Sequence, residues 1–482
     1  MDFRSKKPIR NGLAVSITIL YVAAAQRVDD IARLTIITIF YMKKTLTLLT
    51  LLAFLCFDPI NAQDKTVDDY IPTEANLKSR AEFSDMKFGV FIHWGIYSMF
   101  GQGEWYLNTG NLLQSEYSKA ASGFYPSKFD AKAWVTAIKE SGAKYITITS
   151  RHHDGFSMWN TAMSDYNIVK ATPYGKDVLK MLSEECERQG IRLHFYYSHL
   201  DWGREDYPIG NTGRRTGRDT SHQNYEHYLA FMKGQLTELL TNYGKIGAIW
   251  FDGVWDHQDD NPAFDWKLPE QYDLIHSVQP ACLVGNNHHR NIKYGEDIQI
   301  FEGDVPGENV AGFSKDMEIS RLPLETCMTT NSTWGYNVGD QNFRSSTEII
   351  RTLVKTSGKG ANLLINMGPL PNGELPQKAV ENLKKVGKWL QKYGESIYGT
   401  KAGDIQKAEW GTSTRKDNVL YLHVINPDKA GRIELPNDLK VKQAMLMNDG
   451  TPLTVKKQKN LKFMELPELS DEPDYIVKMI CK

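Results

Sequence analysis

Short apolar runs alternate with longer amphipathic segments along most of the chain, beginning near residue 88. Apolar runs of four to seven residues, bounded by glycine or polar positions, are typical of strands buried in a parallel sheet. Eight such runs follow one another, and each predicts a strand. They are residues 89–92, 145–150, 193–198, 246–251, 281–285, 298–301, 322–327 and 361–367.

The amphipathic segments between these runs predict helices, because glycine or proline marks their ends and polar residues precede several of them. The predicted helices are residues 131–141, 176–189, 222–243, 269–278, 346–357 and 374–398. Repeated alternation of strand and helix requires parallel pairing with right-handed crossovers. Eight strands predict an α/β fold, a (β/α)8-like TIM barrel, with an open doubly wound sheet as the alternative. The barrel is favoured because no GxGxxG motif opens a helix after the first strand.

The pattern changes after about residue 398, where short alternating runs are separated by turn sequences rich in asparagine, proline and glycine. This texture is typical of an antiparallel β-sandwich. The runs are residues 418–425, 431–435, 443–447 and 460–466. We therefore predict a catalytic barrel at residues 63–398, followed by a C-terminal β-sandwich domain at residues 399–482.

The segment 42–62 has the pattern of a secretory signal peptide: a basic start, an apolar core at 46–57 and the small residue Ala62 at its end. The apolar core is too short to cross a bilayer comfortably. Residues 1–41 precede the initiator candidate Met42 and are interpreted as an upstream extension. Export to the periplasm or the extracellular space is therefore expected.

Composition narrows the possible partners. The chain has 482 residues and a formal net charge of −1, which gives no electrostatic case for binding nucleic acid or an anionic membrane surface. A membrane anchor formed by residues 13–25 or 34–57 is the alternative to the signal peptide. No cysteine lies in a CxxC pair or a Cys/His cluster, so zinc is not expected, and the cysteines after the signal segment are interpreted as buried free thiols. The five cysteines are Cys56, Cys186, Cys282, Cys327 and Cys481.

The fourth apolar run, within the sequence IGAIWFDGVWD, ends in the carboxylate of Asp252, and Gly253 follows at once. Barrel enzymes hold their catalytic groups at the carboxyl ends of the strands. A glycine at this position lets the chain turn sharply. The alternative is an aspartate that only caps the following turn.

Most of the other predicted strands also end in polar and aromatic residues, which a purely structural strand does not need. In a barrel these ends converge on one rim. Imidazole and indole N–H groups can bind sugar hydroxyls, and aromatic faces can cover the apolar face of a sugar ring. Two carboxylates can then cleave a glycosidic bond, one as nucleophile and the other as acid.

A metal site is the alternative for the sequence RHHDGF, since histidine is a common metal ligand. Adjacent residues of a strand point to opposite sides, so His152 and His153 could reach one metal only across a bulge. The sequence contains no HExxH or HxH spacing. We therefore predict no metal and no cofactor.

Seven segments of the chain, in this order, resemble the α-L-fucosidases of glycoside hydrolase family 29. They are KFGVFIHWG, GEWY, SRHHDGF, FYYSHLDW, AIWFDG, LETCMTTNSTWGYN and LLINMGPLPNG. The resemblance covers roughly residues 75–400, and a β-sandwich after the barrel also fits that family. It implies a retaining exo-glycosidase that releases terminal α-L-fucose from glycans by double displacement through a covalent intermediate.

The same resemblance implies roles for individual residues. Asp252 matches the family nucleophile, and Trp334 is similar to an aromatic residue near the methyl group of the sugar. The other matching positions are expected to bind the sugar. They are His93, Glu104, Trp105, His152, His153, Tyr197 and Trp250.

The general acid/base is expected on the variable segment FEGDVPGENVAG, which offers Glu302, Asp304 and Glu308. Glu308 is preferred, because the sequence Pro-Gly-Glu lies beyond the strand and resembles the glutamate-bearing loop of the family. Glu302 is the second choice, since it still belongs to the predicted strand end.

Two other functions stay open from the sequence. One is a non-catalytic barrel that binds fucose, and the other is a related α-L-glycosidase such as an α-L-galactosidase. The fucosyl linkage attacked depends on loops such as 201–219 and 256–265.

Overall fold

The computed structural model describes residues 65–405, 408–468 and 472–482. Its central feature is an eight-stranded parallel sheet in the order β5-β4-β3-β2-β1-β8-β7-β6. A parallel bridge between Gly285 and Ile298 joins the two edges, so the sheet forms a nearly closed barrel. The strands are β1 (Phe88–Ile92), β2 (Tyr145–Arg151), β3 (Arg192–Ser198), β4 (Ala248–Asp252), β5 (Leu283–Asn287), β6 (Gln299–Glu302), β7 (Leu324–Thr329) and β8 (Asn362–Met367).

The predicted barrel is confirmed, and each predicted strand lies within two residues of an observed one. Parallel pairing brings all eight carboxyl ends to one rim. The helices are Glu74–Met86, Tyr106–Thr109, Gln114–Tyr117, Ala131–Glu140, Val178–Gln189, Tyr225–Asn242, Leu268–Val278, Ser346–Gly358 and Gln377–Tyr393. Several begin at a side-chain cap, as where the Asp130 carboxylate accepts a hydrogen bond from the backbone N–H of Ala133.

The helix Glu74–Met86 was not predicted, because it has almost no amphipathic pattern and buries only Asn76, Ser79 and Phe83. Phe83 belongs to the apolar cluster inside the barrel. Its carbonyl accepts a hydrogen bond from the side-chain amide of Asn362, the first residue of β8. The helix therefore packs its few buried residues against the strands without needing a continuous apolar stripe.

The barrel interior is filled by aromatic side chains around one buried carboxylate, Glu325 of β7. Tyr145 donates its hydroxyl to one carboxylate oxygen at 2.7 Å, and the indole N–H of Trp250 donates to the other at 2.9 Å. Burial raises the pKa of Glu325 to about 7, although both donors oppose that shift. The hydrogen bond to Glu325 fixes the indole of Trp250, which also reaches the rim of the barrel.

Antiparallel strands follow from Lys401 onward and form a six-stranded and a three-stranded sheet that share one apolar cluster. The four predicted strands of this region are confirmed, within two residues at each end. The strand Tyr475–Cys481 was missed although it lies inside the larger sheet, between Val419–Val424 and Val441–Leu446. The strands are Lys401–Ala402, Gly411–Lys416, Val419–Val424, Arg432–Leu435, Val441–Leu446, Pro452–Leu453, Lys456–Gln458, Leu461–Glu465 and Tyr475–Cys481.

The predicted signal peptide, upstream extension and alternative anchor lie outside the described residues, as does Cys56. Within the described part of the chain, no helix has the length and apolar character needed to cross a membrane. The four remaining cysteines are buried and unpaired, as predicted.

Candidate functional site

A cavity of about 400 Å³ opens at the carboxyl ends of the barrel strands. Eight of the eleven residues predicted for the site line this cavity. The other three, which do not line it, are His153, Tyr197 and Glu308. The predicted residues that line it are His93, Glu104, Trp105, His152, Trp250, Asp252, Glu302 and Trp334. The remaining lining residues are Phe91, Tyr196, Trp255, Gln258, Asn287, His289 and Phe313.

Asp252 ends β4 at the floor of this cavity. Gly253 adopts a φ of 98°, a left-handed conformation that favours glycine, so the predicted sharp turn is present. A short 3-10 helix, Val254–His257, follows and brings Trp255 back over the carboxylate.

Four hydrogen-bond donors converge on the Asp252 carboxylate. The Tyr196 hydroxyl donates to one oxygen at 3.0 Å. The backbone N–H of Gly253, the indole N–H of Trp255 and the side-chain amide of Asn287 donate to the other, at 2.8, 3.0 and 3.4 Å. The Nε2 atom of His153 lies 3.6 Å from the first oxygen. These contacts hold the carboxylate in one orientation, facing the cavity.

Burial and the neighbouring Glu302 carboxylate raise the pKa of Asp252 to about 6, while the hydrogen bonds from Trp255 and Tyr196 oppose the shift. The group is therefore ionised at neutral pH but poorly solvated. A desolvated and oriented carboxylate that lines a cavity is suited to act as a nucleophile.

Glu302, at the end of β6, is the second carboxylate in the cavity. The Asn287 amide nitrogen lies 2.6 Å from one Glu302 oxygen and 3.4 Å from an Asp252 oxygen. Those two oxygens therefore lie within about 6 Å of each other, the sum of the two distances. His289 donates its Nε2–H to the same Glu302 oxygen at 3.0 Å. This upper limit is compatible with the separation of about 5–5.5 Å between the two carboxyl groups of retaining glycosidases.

Glu308, the preferred acid/base from the sequence, does not line the cavity. It is partly exposed on the loop after β6, and within the described residues its side chain makes no hydrogen bond. Its backbone N–H closes a tight turn with the Val305 carbonyl at 2.8 Å. The static geometry therefore favours Glu302, the second choice.

His152 and His153 follow the end of β2, where the pairing with β3 shifts register between Thr149 and Arg151. Both histidines lie beyond the last strand residue, Arg151, so strand alternation does not separate them, and their ring centroids lie only 4.1 Å apart. Arg151 instead points away and forms a fully buried ion pair with Asp201. The bulge considered in the sequence is present, and both histidines face the region above Asp252.

The tautomer of His153 follows from its partners. The Ser198 hydroxyl donates its only hydrogen to the Leu200 carbonyl at 2.7 Å, so it accepts a hydrogen bond from Nδ1–H of His153 at 2.7 Å. Burial lowers the pKa of His153 well below its usual value, so the ring is neutral. Its Nε2 atom therefore presents a lone pair beside Asp252.

His93 is fixed in the same way. The Asn366 amide nitrogen donates to the Trp334 carbonyl at 2.7 Å, so the amide oxygen accepts from Nδ1–H of His93 at 2.8 Å. Burial lowers the pKa of His93 to about 3. Its Nε2 atom is consequently a hydrogen-bond acceptor for a ligand hydroxyl.

The prediction that Tyr197 contacts the sugar is wrong. Tyr197 is fully buried and donates its hydroxyl to Gln235 in the helix Tyr225–Asn242, outside the barrel. Tyr196 points inward, stacks on Trp250 with centroids 5.6 Å apart and donates to Asp252. Adjacent strand residues face opposite sides, so only one of the two tyrosines can reach the cavity.

Aromatic rings form two walls of the cavity. Trp334 lies edge-on to the buried Phe91, with centroids 5.9 Å apart, and 5.1 Å from the ring of His93. On the other wall Trp105 stacks on Trp255 at 5.5 Å. The first wall gives an apolar surface beside a polar rim, and the second covers the nucleophile candidate.

Glu104 enters the cavity from the loop after β1. It is buried and accepts a hydrogen bond from the backbone N–H of Gly335 at 2.7 Å, next to Trp334. Burial raises the pKa of Glu104 above its usual value, although this hydrogen bond opposes the shift. A buried acid that lines the cavity is suited to bind a ligand hydroxyl.

Sequence reasoning missed seven of the lining residues. Asn287 and His289 belong to the run GNNHHR at the end of the fifth predicted strand, and nothing in that run distinguishes them from their neighbours. Trp255 stood in the sequence IGAIWFDGVWD, and only the short 3-10 helix turns it toward Asp252. Phe313 and Gln258 carried no signal, because both lie on irregular segments.

A family model described as Alpha-L-fucosidase matches residues 59–395. The chain is 29% identical to an alpha-L-fucosidase of Dictyostelium discoideum over 403 residues, 77% of this chain and 82% of that protein.

Among solved structures, alpha-L-fucosidase isoenzyme 1 from Paenibacillus thiaminolyticus has a TM-score of 0.74 and 32% identity, covering 85% of this chain and all of that one. A GH29 alpha-L-fucosidase from Bacteroides thetaiotaomicron has a TM-score of 0.73 and 25% identity, over 86% of this chain and 100% of that one. That structure is a trapped covalent intermediate of a glutamate-to-glutamine mutant, in complex with 2-fluoro-fucosyl fluoride.

Proposed function

The chain belongs to the alpha-L-fucosidase family of glycoside hydrolases, and we propose that it releases terminal α-L-fucose from fucosylated glycans with retention of configuration. The observation that carries the proposal is the pair of carboxylates, Asp252 and Glu302, held within about 6 Å by one amide nitrogen. At this spacing one carboxylate can attack the anomeric carbon directly while the other protonates the leaving oxygen. The covalent intermediate trapped in the Bacteroides relative supports the same route.

Asp252 acts as the nucleophile. Its donors, from Tyr196, Trp255, Gly253 and Asn287, orient the carboxylate before substrate binds. The attack forms a β-linked fucosyl ester and breaks the α-glycosidic bond. Formation of the ester removes the negative charge of Asp252. The energetic cost of keeping that charge buried, which raises the pKa of Asp252, is thereby removed.

Glu302 acts as the general acid and then as the general base. It gives its proton to the departing oxygen of the aglycone and later takes a proton from the water that attacks the ester. His289 and Asn287 hold one of its oxygens, which leaves the other free to reach the substrate.

The rest of the cavity selects the sugar. His93 presents a neutral Nε2 atom to the cavity and therefore accepts a hydrogen bond from a sugar hydroxyl. His153 does not line the cavity, but its neutral Nε2 atom lies 3.6 Å from an Asp252 oxygen. Trp334 and Phe91 form the apolar surface that a methyl group at C5 requires, where a hydroxymethyl group would leave its hydroxyl unpaired.

The stereochemistry of the first product tests this function. An aryl α-L-fucoside incubated with the enzyme should give α-L-fucose first, which then mutarotates to the β anomer. Proton NMR during the first minutes distinguishes the anomers. Initial β-L-fucose would contradict double displacement, and fucose binding without any hydrolysis would support a non-catalytic barrel instead.

The acid limb of the pH profile reports the state of Asp252. Because the carboxyl has a pKa of about 6, kcat/KM should rise as the pH increases through 6 and fall below it. Tyr196→Phe removes a donor to the charged form, so the pKa of Asp252 should rise and the limb should move up by about one pH unit.

Tyr197→Phe is the matched control, because it removes the same hydroxyl from the neighbouring position. It should leave the acid limb in place and lower the free energy of unfolding by about 1 kcal/mol, through the lost hydrogen bond to Gln235. If the two variants shift the limb equally, the proposed contact between Tyr196 and Asp252 does not govern catalysis.

A further inference from the structure

The loop after β6 is held in one path by a buried carboxylate. Asp304, only 1% exposed, accepts hydrogen bonds from the backbone N–H groups of Val310 and Ala311 at 2.6 and 2.8 Å. The Asp304 carbonyl in turn accepts from the Thr326 hydroxyl of β7 at 3.0 Å. The loop is therefore curled back toward the barrel rim before any ligand binds.

This path delivers one aromatic ring to the mouth of the cavity. Phe313 stacks on His289 with centroids 4.7 Å apart and planes at 17°. It also lines the cavity, yet 45% of its surface remains exposed. A large aromatic ring that is rigidly supported on one face and open on the other can accept a flat apolar partner.

Exposure increases steadily from the floor of the cavity to this ring. Tyr196 and Trp250 are nearly buried, at 1% and 3%. The side chains of Asp252 and Glu302 are 13% and 18% exposed. Phe313 follows at 45% and is linked to Glu302 through His289. Along the chain of contacts that runs from Asp252 through Glu302 and His289 to Phe313, the side chains therefore become progressively more exposed.

We propose that Phe313 is the platform of an aglycone subsite, which stacks on the apolar C–H face of the sugar that carries the fucose. The inference rests on the proposed function, because the group that receives the proton of Glu302 must leave on the Glu302 side. On that side the Phe313 ring stacks on His289, the residue that donates to the Glu302 carboxylate. Gln258, also at the mouth, offers an amide for the hydroxyls of the same sugar.

Two substrates separate this subsite from the fucose site. α-L-Fucosyl fluoride has a one-atom leaving group that cannot touch Phe313. From a panel of α1-2, α1-3, α1-4 and α1-6 fucosylated oligosaccharides, the one cleaved fastest supplies a pyranose aglycone. Phe313→Ala should lower kcat/KM about tenfold for the oligosaccharide and leave hydrolysis of the fluoride unchanged. Phe313→Tyr, which keeps the ring, should retain activity on both.

Val310→Ala is the control, because Val310 lies on the same loop, is 85% exposed and does not line the cavity. This variant should leave kcat/KM unchanged for both the fluoride and the oligosaccharide. Equal losses on fluoride and oligosaccharide in Phe313→Ala would mean that the ring only supports the loop, and no loss on either would mean that no subsite exists. Either result overturns the inference, whereas failure of the unmodified enzyme to hydrolyse the fluoride would instead overturn the proposed function.

Discussion

Asp252→Gly should reduce kcat for an aryl α-L-fucoside by about three to five orders of magnitude, or roughly 4–7 kcal/mol of barrier. The physical reason is that the covalent step loses its nucleophile, and no other carboxylate of the cavity approaches the same point. Glu302 lies on the leaving-group side, and Glu104 is held by the backbone of Gly335. Steady-state kinetics with a chromogenic fucoside measure the loss.

Azide should restore turnover in this variant. The glycine leaves a space where the carboxylate stood, and a small anion that enters there attacks the anomeric carbon from the same side. The expected product is β-L-fucosyl azide, with inverted configuration, which proton NMR identifies. Rescue also shows that the variant is folded.

Asp259→Gly is the matched control on the following loop. Asp259 is exposed and accepts a hydrogen bond from the Asn211 amide at 2.9 Å, so its removal should leave kcat within about twofold. A fully active Asp252→Gly enzyme would refute the assignment of the nucleophile. An inactive one that azide does not rescue, although its thermal unfolding is unchanged, would point to a role in binding.

Glu302→Ala should show the second largest effect, and that effect should depend on the leaving group. For a fucosylated oligosaccharide, whose alkoxide leaves poorly without a proton, kcat/KM should fall about a thousandfold. For 2,4-dinitrophenyl α-L-fucoside, which needs no proton, the fall should be less than about tenfold. A series of aryl fucosides with different leaving-group acidities measures this dependence.

Azide should act differently on this variant. The fucosyl ester with Asp252 still forms from the activated substrate, and azide then replaces the water that Glu302 no longer activates. Attack on the β-linked ester gives α-L-fucosyl azide, with overall retention. The two azide anomers therefore assign the nucleophile and the acid/base independently.

Glu308→Ala is the comparison that decides between the two glutamates. Because Glu308 lies on the loop and does not line the cavity, both substrate classes should keep kcat/KM within about threefold. If Glu308→Ala instead shows the leaving-group dependence and Glu302→Ala does not, the acid/base is Glu308. The loop would then have to carry it into the cavity when substrate binds.

The sequence placed Asp252 at the rim of the barrel, because two independent signals coincided there. A run of buried residues ended in an acid, and the glycine after it could take the left-handed conformation that the turn uses. The same reasoning found His93, His152 and Trp250, which all stand at or near the ends of apolar runs. Position at a strand end is a one-dimensional property, so it can be read from the chain.

The side of the sheet that a residue faces could not be predicted from the sequence for Tyr196 and Tyr197. These two neighbouring residues of β3 are both buried tyrosines. Tyr196 lies inside the barrel, and Tyr197 lies against a helix. A strand that is covered on both faces carries no alternation of polar and apolar residues, so its inward parity cannot be deduced. Pairing of Tyr196 with Trp250 in the sheet register decides it.

The choice between Glu302 and Glu308 has a similar cause. The two glutamates are close together in the chain, and the segment between them has no period that would place either side chain. Its path is set by contacts that are distant in sequence, such as the hydroxyl of Thr326 on the Asp304 carbonyl. By itself the sequence determined the barrel, the rim and the family, because strand periodicity and motif order are local. Only the tertiary structure decided which side chains meet in the cavity, because register, bulges and loop anchors depend on residues brought together by folding.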